Sequence, residues 1–378
     1  MLAALETRPN IAKRTGVIPR QSRAIPMPPP RGVEAPPVRT PRRRPVPLLI
    51  GSAAVVLVAG LVAPALWAKA RRAAPVSEIE PAASHIHSVG VLVPAGTPVR
   101  GLALSPDKKL AAVTRSDGVT QLWDLAARRS VVTLPGGGAR CSTVAFSADG
   151  RRLVFGASRN AVGVWDVAAR AVAFTFEAGD WVLSAAISAD GTRVAAGDKS
   201  GTTWVWNTAT NESRAFAHGA KPRVDVVAFA PGRLTPVSGF GSLGEARAWG
   251  DDDTHFRRPG GWVHNGMCVL ADGRVVTATA TEVAVFDGAT GGFVRGIRAT
   301  PADSQFGCVA GGPGGTWLAT GGSDGAIRVW DTRTGGQRAS LGIRPQPLVA
   351  LAVSSDGTDA LIATPDGCVR HVRLSGLE

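Results

Sequence analysis

The sequence contains no tyrosine, only 4 cysteines and 6 histidines, and just 6% aromatic residues. Cys141, Cys268, Cys308 and Cys368 form no CxxC pair and show no spacing of a metal site or a disulfide framework, so they read as small buried or half-buried thiols. Of the histidines, only His85 and His87 in "HIH" alternate like strand ligands, and they stand where a linker meets a strand. HExxH, Walker and kinase motifs are all missing. "DDDTH", Asp251 to His255, reads as a solvated acidic turn. No catalytic residue, metal or cofactor is therefore expected.

The globular part also lacks a charge excess. The chain as a whole carries +13, but residues 1–72 hold 13 Lys and Arg against Glu6 and Glu34, leaving 29 basic and 27 acidic residues for the remaining 306. The basic pI describes the N-terminal segment, and no nucleic-acid partner is expected for the rest. Arg greatly outnumbers Lys, a bias usual in GC-rich bacterial genomes.

Residues 1–45 combine ten Pro with ten Lys and Arg and have no periodic apolar face, so they read as a disordered, Pro/Arg-rich tail. Residues 46–68, "VPLLIGSAAVVLVAGLVAPALWA", contain no charge. A helix of that length spans roughly 34 Å, enough to cross a hydrocarbon core, and it is predicted to be a transmembrane helix. A cleaved signal peptide has a shorter n-region and h-region, although "AKA" at 68–70 leaves cleavage open. Arg31, Arg39, Arg42, Arg43 and Arg44 precede the span, against Lys69, Arg71 and Arg72 after it. That balance predicts a single-pass protein with a cytoplasmic N-terminus and an extracytoplasmic C-terminal region, periplasmic in a Gram-negative-type cell. Residues 69–85 read as a stalk.

From residue 86 the sequence repeats. "VTQLWDL" (Trp123), "VGVWDV" (Trp165), "TWVWNTATN" (Trp206), "EARAWGDDD" (Trp249), "EVAVFDGATGG" (Phe286), "IRVWDTRTGG" (Trp330) and "CVRHVRLSG" (Val372) recur at separations of 42, 41, 43, 37, 44 and 42 residues. A second motif keeps its own phase upstream: "LALSPDKK", "VAFSADGR", "AAISADGT", "VAFAPGR", "CVLADGR", "VAGGPGGT" and "LAVSSDGT". Asp-Gly and Pro-Gly supply the turn chemistry that joins antiparallel strands. "SDG" at 116–118 and 323–325 and "PDG" at 365–367 mark a further turn.

A period near 40 to 45 with a phased aromatic resembles the WD40 family, in which each repeat builds one four-stranded blade. The resemblance covers 86–378 and implies an all-β, seven-bladed β-propeller, preceded by the transmembrane helix and the tail. The last copy ends after its third strand, and "IHSVGVLVPAGT" (86–97) looks like the missing outer strand, so it is expected to close the seventh blade. The resemblance implies structural roles for Trp123, Asp124, Trp165, Asp166, Trp206, Trp249, Phe286, Asp287, Trp330 and Asp331. The chain departs from the family in lacking the Gly-His dipeptide between blades. Asn207, Gly250 and Arg373 also stand where Asp is expected. Blades 4, 5 and 7 are the divergent ones and are expected to depend more on apolar packing.

Aligning the copies on the innermost strand puts Pro98, Arg140, Trp181, Arg223, Val263, Gln305 and Pro347 at one channel-rim position. Arg140, Trp181, Arg223, Trp262 and Gln305 are the candidate partner-binding residues, with Lys221 and Phe306 nearby, because Arg and Trp combine contact area with a polar handle. Packing of Trp181 and Trp262 between blades is the bland alternative. The resemblance implies a monomeric, non-enzymatic scaffold for protein partners; with the predicted anchor at 46–68, the chain is similar to the membrane-span-plus-propeller half of some bacterial Ser/Thr kinases. A propeller enzyme or cofactor-bearing oxidoreductase is the alternative left open.

Overall fold

The computed structural model describes residues 86–136, 142–218, 223–230, 234–241, 245–249, 254–257, 266–298, 304–343 and 346–377. The tail, the apolar span at 46–68 and the stalk lie outside them, as do Arg140, Lys221 and Trp262. No helix among the described residues is long and apolar enough to cross a membrane.

The described residues form seven four-stranded antiparallel sheets, an all-β, seven-bladed propeller. Blades 1 to 6 each use four consecutive strands, within residues 99–133, 145–177, 182–217, 226–257, 266–298 and 306–342. Blade 7 takes its first three strands from 350–374 and its outer strand from Ile86–Val93. The first strand of every blade contacts the first strand of the next, and blade 7 contacts blade 1, so the ring is closed.

Ile86 pairs with Leu374 and Val93 with Val369, joining the two ends of the propeller sequence in one sheet. Ile86, Leu92 and Val93 are buried. The strand stops at Val93, short of the 86–97 span expected from the sequence, because Pro94 has no N–H to continue the ladder.

Stacked blades bury their central strands on both faces, which explains why clean period-2 alternation is lost there. Ala326–Asp331 is buried at every position but its last, and Trp317–Gly322 throughout, whereas the outer strand Ala171–Glu177 is mostly exposed. Blade-to-blade approach is close enough that a Cβ at Gly101 would meet the Ser142 carbonyl and one at Gly307 the Leu348 carbonyl.

The core is seven separate clusters, one per seam. Trp165 packs on blade 1 with Leu122 and Ala103, Trp206 on blade 2 with Val154 and Val164, and Trp249 on blade 3 with Val205. Phe286 packs on blade 4 with Val237 and Phe256, and Trp330 on blade 5 with Val276 and Ile297. Val372 packs on blade 6 with Val329 and Trp317, and the half-buried Trp123 on blade 7 with Leu361 and Val369. Each phased residue thus sits at the seam with the preceding blade, and truncation of a buried Trp or Phe there to Ala is expected to cost about 3–5 kcal/mol. Trp249 Nε1 donates to Ser238 Oγ at 2.9 Å and Trp330 Nε1 to Thr320 Oγ1 at 2.8 Å.

One face of the propeller carries the turns between first and second strands and between third and outer strands. At the first kind, Ser105, Ser147, Ser188 and Ser354 each donate to Asp107, Asp149, Asp190 or Asp356 at 2.6 Å. Each serine in turn accepts a backbone N–H from the following strand. The Ser188 hydroxyl and the Thr192 N–H hold Asp190 below the ordinary carboxylate value.

At the second kind, Asp124, Asp166, Asp287 and Asp331 accept N–H groups of the residues two or three ahead. Asn207 does the same toward Ala209 at 2.9 Å, so this departure from Asp keeps the turn. Arg338 and the Thr334 N–H hold the Asp331 carboxyl far below its usual range.

Basic side chains strap this face across the seams. Arg152 Nη1 of blade 2 donates to Gly191 O and Thr208 Oγ1 of blade 3, both at 2.7 Å. Arg274 Nη2 of blade 5 repeats the pattern on Gly315 O at 2.8 Å and Thr332 Oγ1 at 2.9 Å of blade 6. Lys108 of blade 1 reaches Asp356 at 2.7 Å and Asp359 at 3.2 Å of blade 7.

The expectation that divergent blades rest on apolar packing needs correction in two of them. In blade 4 the buried Glu245 binds His255 Nδ1 and lies 3.3 Å from Arg257 Nε. In blade 7 the buried Asp359 takes His371 Nε2 at 2.7 Å and Thr358 Oγ1 at 2.9 Å. Burial pushes the Asp359 carboxyl up, but hydrogen bonds from Thr358, His371 and Lys108 outweigh it and hold the group below its ordinary value.

Candidate functional site

The opposite face carries the loops entering each first strand and the turns between second and third strands. Its hydrogen bonds hold neighbouring blades through the backbone. Val182 N–H donates to Arg159 O at 2.9 Å, and Lys199 N–H donates to Trp181 O at 2.9 Å. Blade 6 repeats this frame: Phe306 N–H donates to Ala280 O at 2.8 Å and Ser323 N–H to Gln305 O at 2.7 Å. Pro98 shares one half of it, accepting from Ser116 N–H at 2.8 Å.

Arg223 and Pro347 belong to a different frame. There Val224 N–H donates to Asp198 O and Leu348 N–H to Gly322 O, both at 3.0 Å, and the first strands begin later, at Val226 and Ala350. The single rim position expected from the sequence is therefore two positions. Arg140, Trp262 and Val263 lie outside the described residues.

Trp181 is half-buried, and its ring is met by Arg159 Cζ at 4.8 Å and Lys199 Nζ at 4.9 Å from the centroid. Asp180 accepts the Trp181 N–H at 2.7 Å, fixing the backbone there. Arg223 is turned to the channel wall, where Nη2 pairs with Asp225 Oδ1 at 2.6 Å and Nε is buried without a hydrogen-bond partner. Asp225 Oδ2 also accepts the Gly241 N–H at 2.9 Å. Gln305 is exposed, while Phe306 is buried against Trp330 and serves the core.

A cavity of about 220 Å³ lies among the first strands, lined by Arg100, Thr143, Asp225, Met267, Cys308 and Leu351 among others. Burial pushes the Cys308 thiol up to about 12, and that of Cys268 likewise, so both stay protonated and unreactive. No cluster of metal-ligating side chains occurs among the described residues.

Sequence reasoning found Trp181 but missed Arg159 and Lys199. Their signal lay in the turns between second and third strands, where "SRN" and "DKSG" replace the acidic "SDG" of blades 1 and 6.

Residues 171–207 and 280–331 match the WD40 family model, described as WD domain, G-beta repeat. These segments are similar to WD40 repeats. The first begins with the outer strand of blade 2 and the second with the third and outer strands of blade 5; each continues through the first three strands of the next blade, ending at Asn207 and Asp331. The WD40 match thus covers blades 3 and 6, the two that share the complete backbone frame around Trp181 and Gln305. No curated protein matches the chain.

Proposed function

We propose that this WD40-type propeller is a non-enzymatic scaffold, anchored to a membrane through residues 46–68, that presents its loop face to a protein partner. The observation that carries the reading is the contrast within one repeated frame. The backbone around positions 181 and 305 is the same, yet one holds a cation-flanked Trp and the other an exposed Gln. A residue type needed by the fold would recur with the frame; one used for recognition need not.

Chain direction supports the same arrangement. Ile86 opposes Leu374 at the turn face, so the described chain enters the propeller on the face opposite the loops. The Cys308 thiol lining the cavity stays protonated, and Asp225 beside it is occupied by Arg223 and Gly241, which favours binding over catalysis.

The test is recovery of partners from native membranes by the full chain and by an Arg140/Trp181/Arg223 triple Ala variant. The reading expects partners retained by the wild type to be lost by the variant. Equal recovery would remove the loop face as the binding surface. Protease access in intact and osmotically opened cells checks orientation: a propeller protected after opening of the outer envelope would contradict the extracytoplasmic placement.

A further inference from the structure

We propose that Trp181, Arg159 and Lys199 form a binding site for an acidic, extended segment of a partner protein. The inference rests on the scaffold reading and gives its partner a chemistry.

The site spans the seam of blades 2 and 3. Arg159 comes from the turn between second and third strands of blade 2, and Lys199 from the same turn of blade 3. The two backbone hydrogen bonds at 181–182 bring both turns to the indole, so each cation is placed by the frame as well as by its side chain. Both residues are exposed, and neither makes an ion pair among the described residues.

Nearby carboxylates do not neutralise them. Asp180 faces the Trp181 N–H. Asp198 is buried and accepts from Ser200 Oγ, the Thr202 N–H and Trp204 Nε1. Glu177, at the end of its strand, is exposed and makes no ion pair with either cation. The result is two cations held against an aromatic surface, a geometry that orders long side chains before a ligand arrives. Cation–π contact at exposed sites is weak, enough to bias a rotamer and too little to hold it against a carboxylate.

The fold does not require this chemistry, because the equivalent frame in blade 6 brackets Gln305 with Ala280 and Ser323. Charge complementarity selects an anionic ligand. Protein is favoured over nucleic acid because the cations are a single pair rather than a stripe, and residues 86–378 carry 29 basic against 25 acidic residues.

The probe is hexaglutamate, with hexaglutamine as the neutral control, incubated with the full chain. Carbodiimide coupling of peptide carboxylates to lysine amines is mapped by mass spectrometry and normalised to each lysine's acetylation rate without peptide. This readout separates the propeller from the basic N-terminal segment, which also attracts acidic peptide. The expected result is coupling at Lys199 several-fold above the highly exposed Lys109. Arg159→Gln should lower it about two- to fivefold, and raised salt should lower it further. Trp181→Phe should keep most of the coupling, guarding against misfolding as an explanation for losses in Trp181→Ala.

Coupling at Lys199 no greater than at Lys109, or unchanged in Arg159→Gln, would overturn the proposal. So would displacement of hexaglutamate from Lys199 by an equal concentration of oligothymidylate. If partner capture is lost in the triple variant while Lys199 shows no preference, the scaffold reading stands and the acidic-segment site falls.

Discussion

The two faces of this propeller are built from the same strands by different means. On the turn face, buried serines and turn aspartates recur within several blades, and Arg and Lys straps cross the seams of blades 2 and 3, 5 and 6, and 7 and 1. On the loop face the backbone does the tying, and side chains such as Trp181 and Gln305 vary within a constant frame. The difference separates stability from recognition: where side chains hold the ring their identity is constrained, and where the backbone holds it they are free to be a binding surface.

Removing residues 86–93 is the harshest way to break that comparison. It strips blade 7 of its outer strand and exposes the edge of Val369–Leu374, and cooperative thermal unfolding of the propeller is expected to be lost. Next comes Trp330→Ala, which empties the seam of blades 5 and 6 and orphans Thr320; urea unfolding should show a loss of about 3–5 kcal/mol.

Arg274→Ala removes a strap that satisfies Gly315 O and Thr332 Oγ1, and about 1–3 kcal/mol is expected in the same measurement, with partner capture unchanged. Arg159→Gln, on the other face, should shift stability by less than about 0.5 kcal/mol while weakening binding of acidic peptide.

Acid sharpens the contrast without mutation. Asp190 and Asp331 have carboxyls held below their ordinary values in the folded state, so the unfolded chain binds more protons. Their stabilisation is present above the ordinary carboxylate range and is lost as pH falls through it toward the depressed folded values. Tm should therefore fall progressively below about pH 4, and Asp331→Asn should flatten part of that fall.

The repeat was legible because each phased aromatic meets the same need, a large side chain at a blade seam. Seven copies at nearly constant spacing define seven blades, and Trp123, Trp165, Trp206, Trp249, Phe286 and Trp330 all lie at seams. The straps were not legible: Arg152 and Arg274 act on residues a whole repeat away, and nothing local distinguishes them from solvent-facing arginines.

Asn207 looked like a departure from Asp but keeps the turn, since an amide oxygen accepts the same N–H. Asp359 and Glu245 were overlooked because their partners lie on adjacent strands. In the candidate site Trp181 stood out by type, while Arg159 and Lys199 acquire meaning only when two turns from neighbouring blades meet at one ring.

The division of labour between faces is tested most directly by measuring unfolding free energy and partner capture in parallel for two double variants, Arg152→Ala/Arg274→Ala and Arg159→Gln/Lys199→Gln. The account predicts that the first loses stability by about 2–5 kcal/mol with capture intact under folding conditions, and that the second keeps its stability and loses capture. Loss of capture in the strap variant while it remains folded, or loss of stability without loss of capture in the loop-face variant, would contradict it.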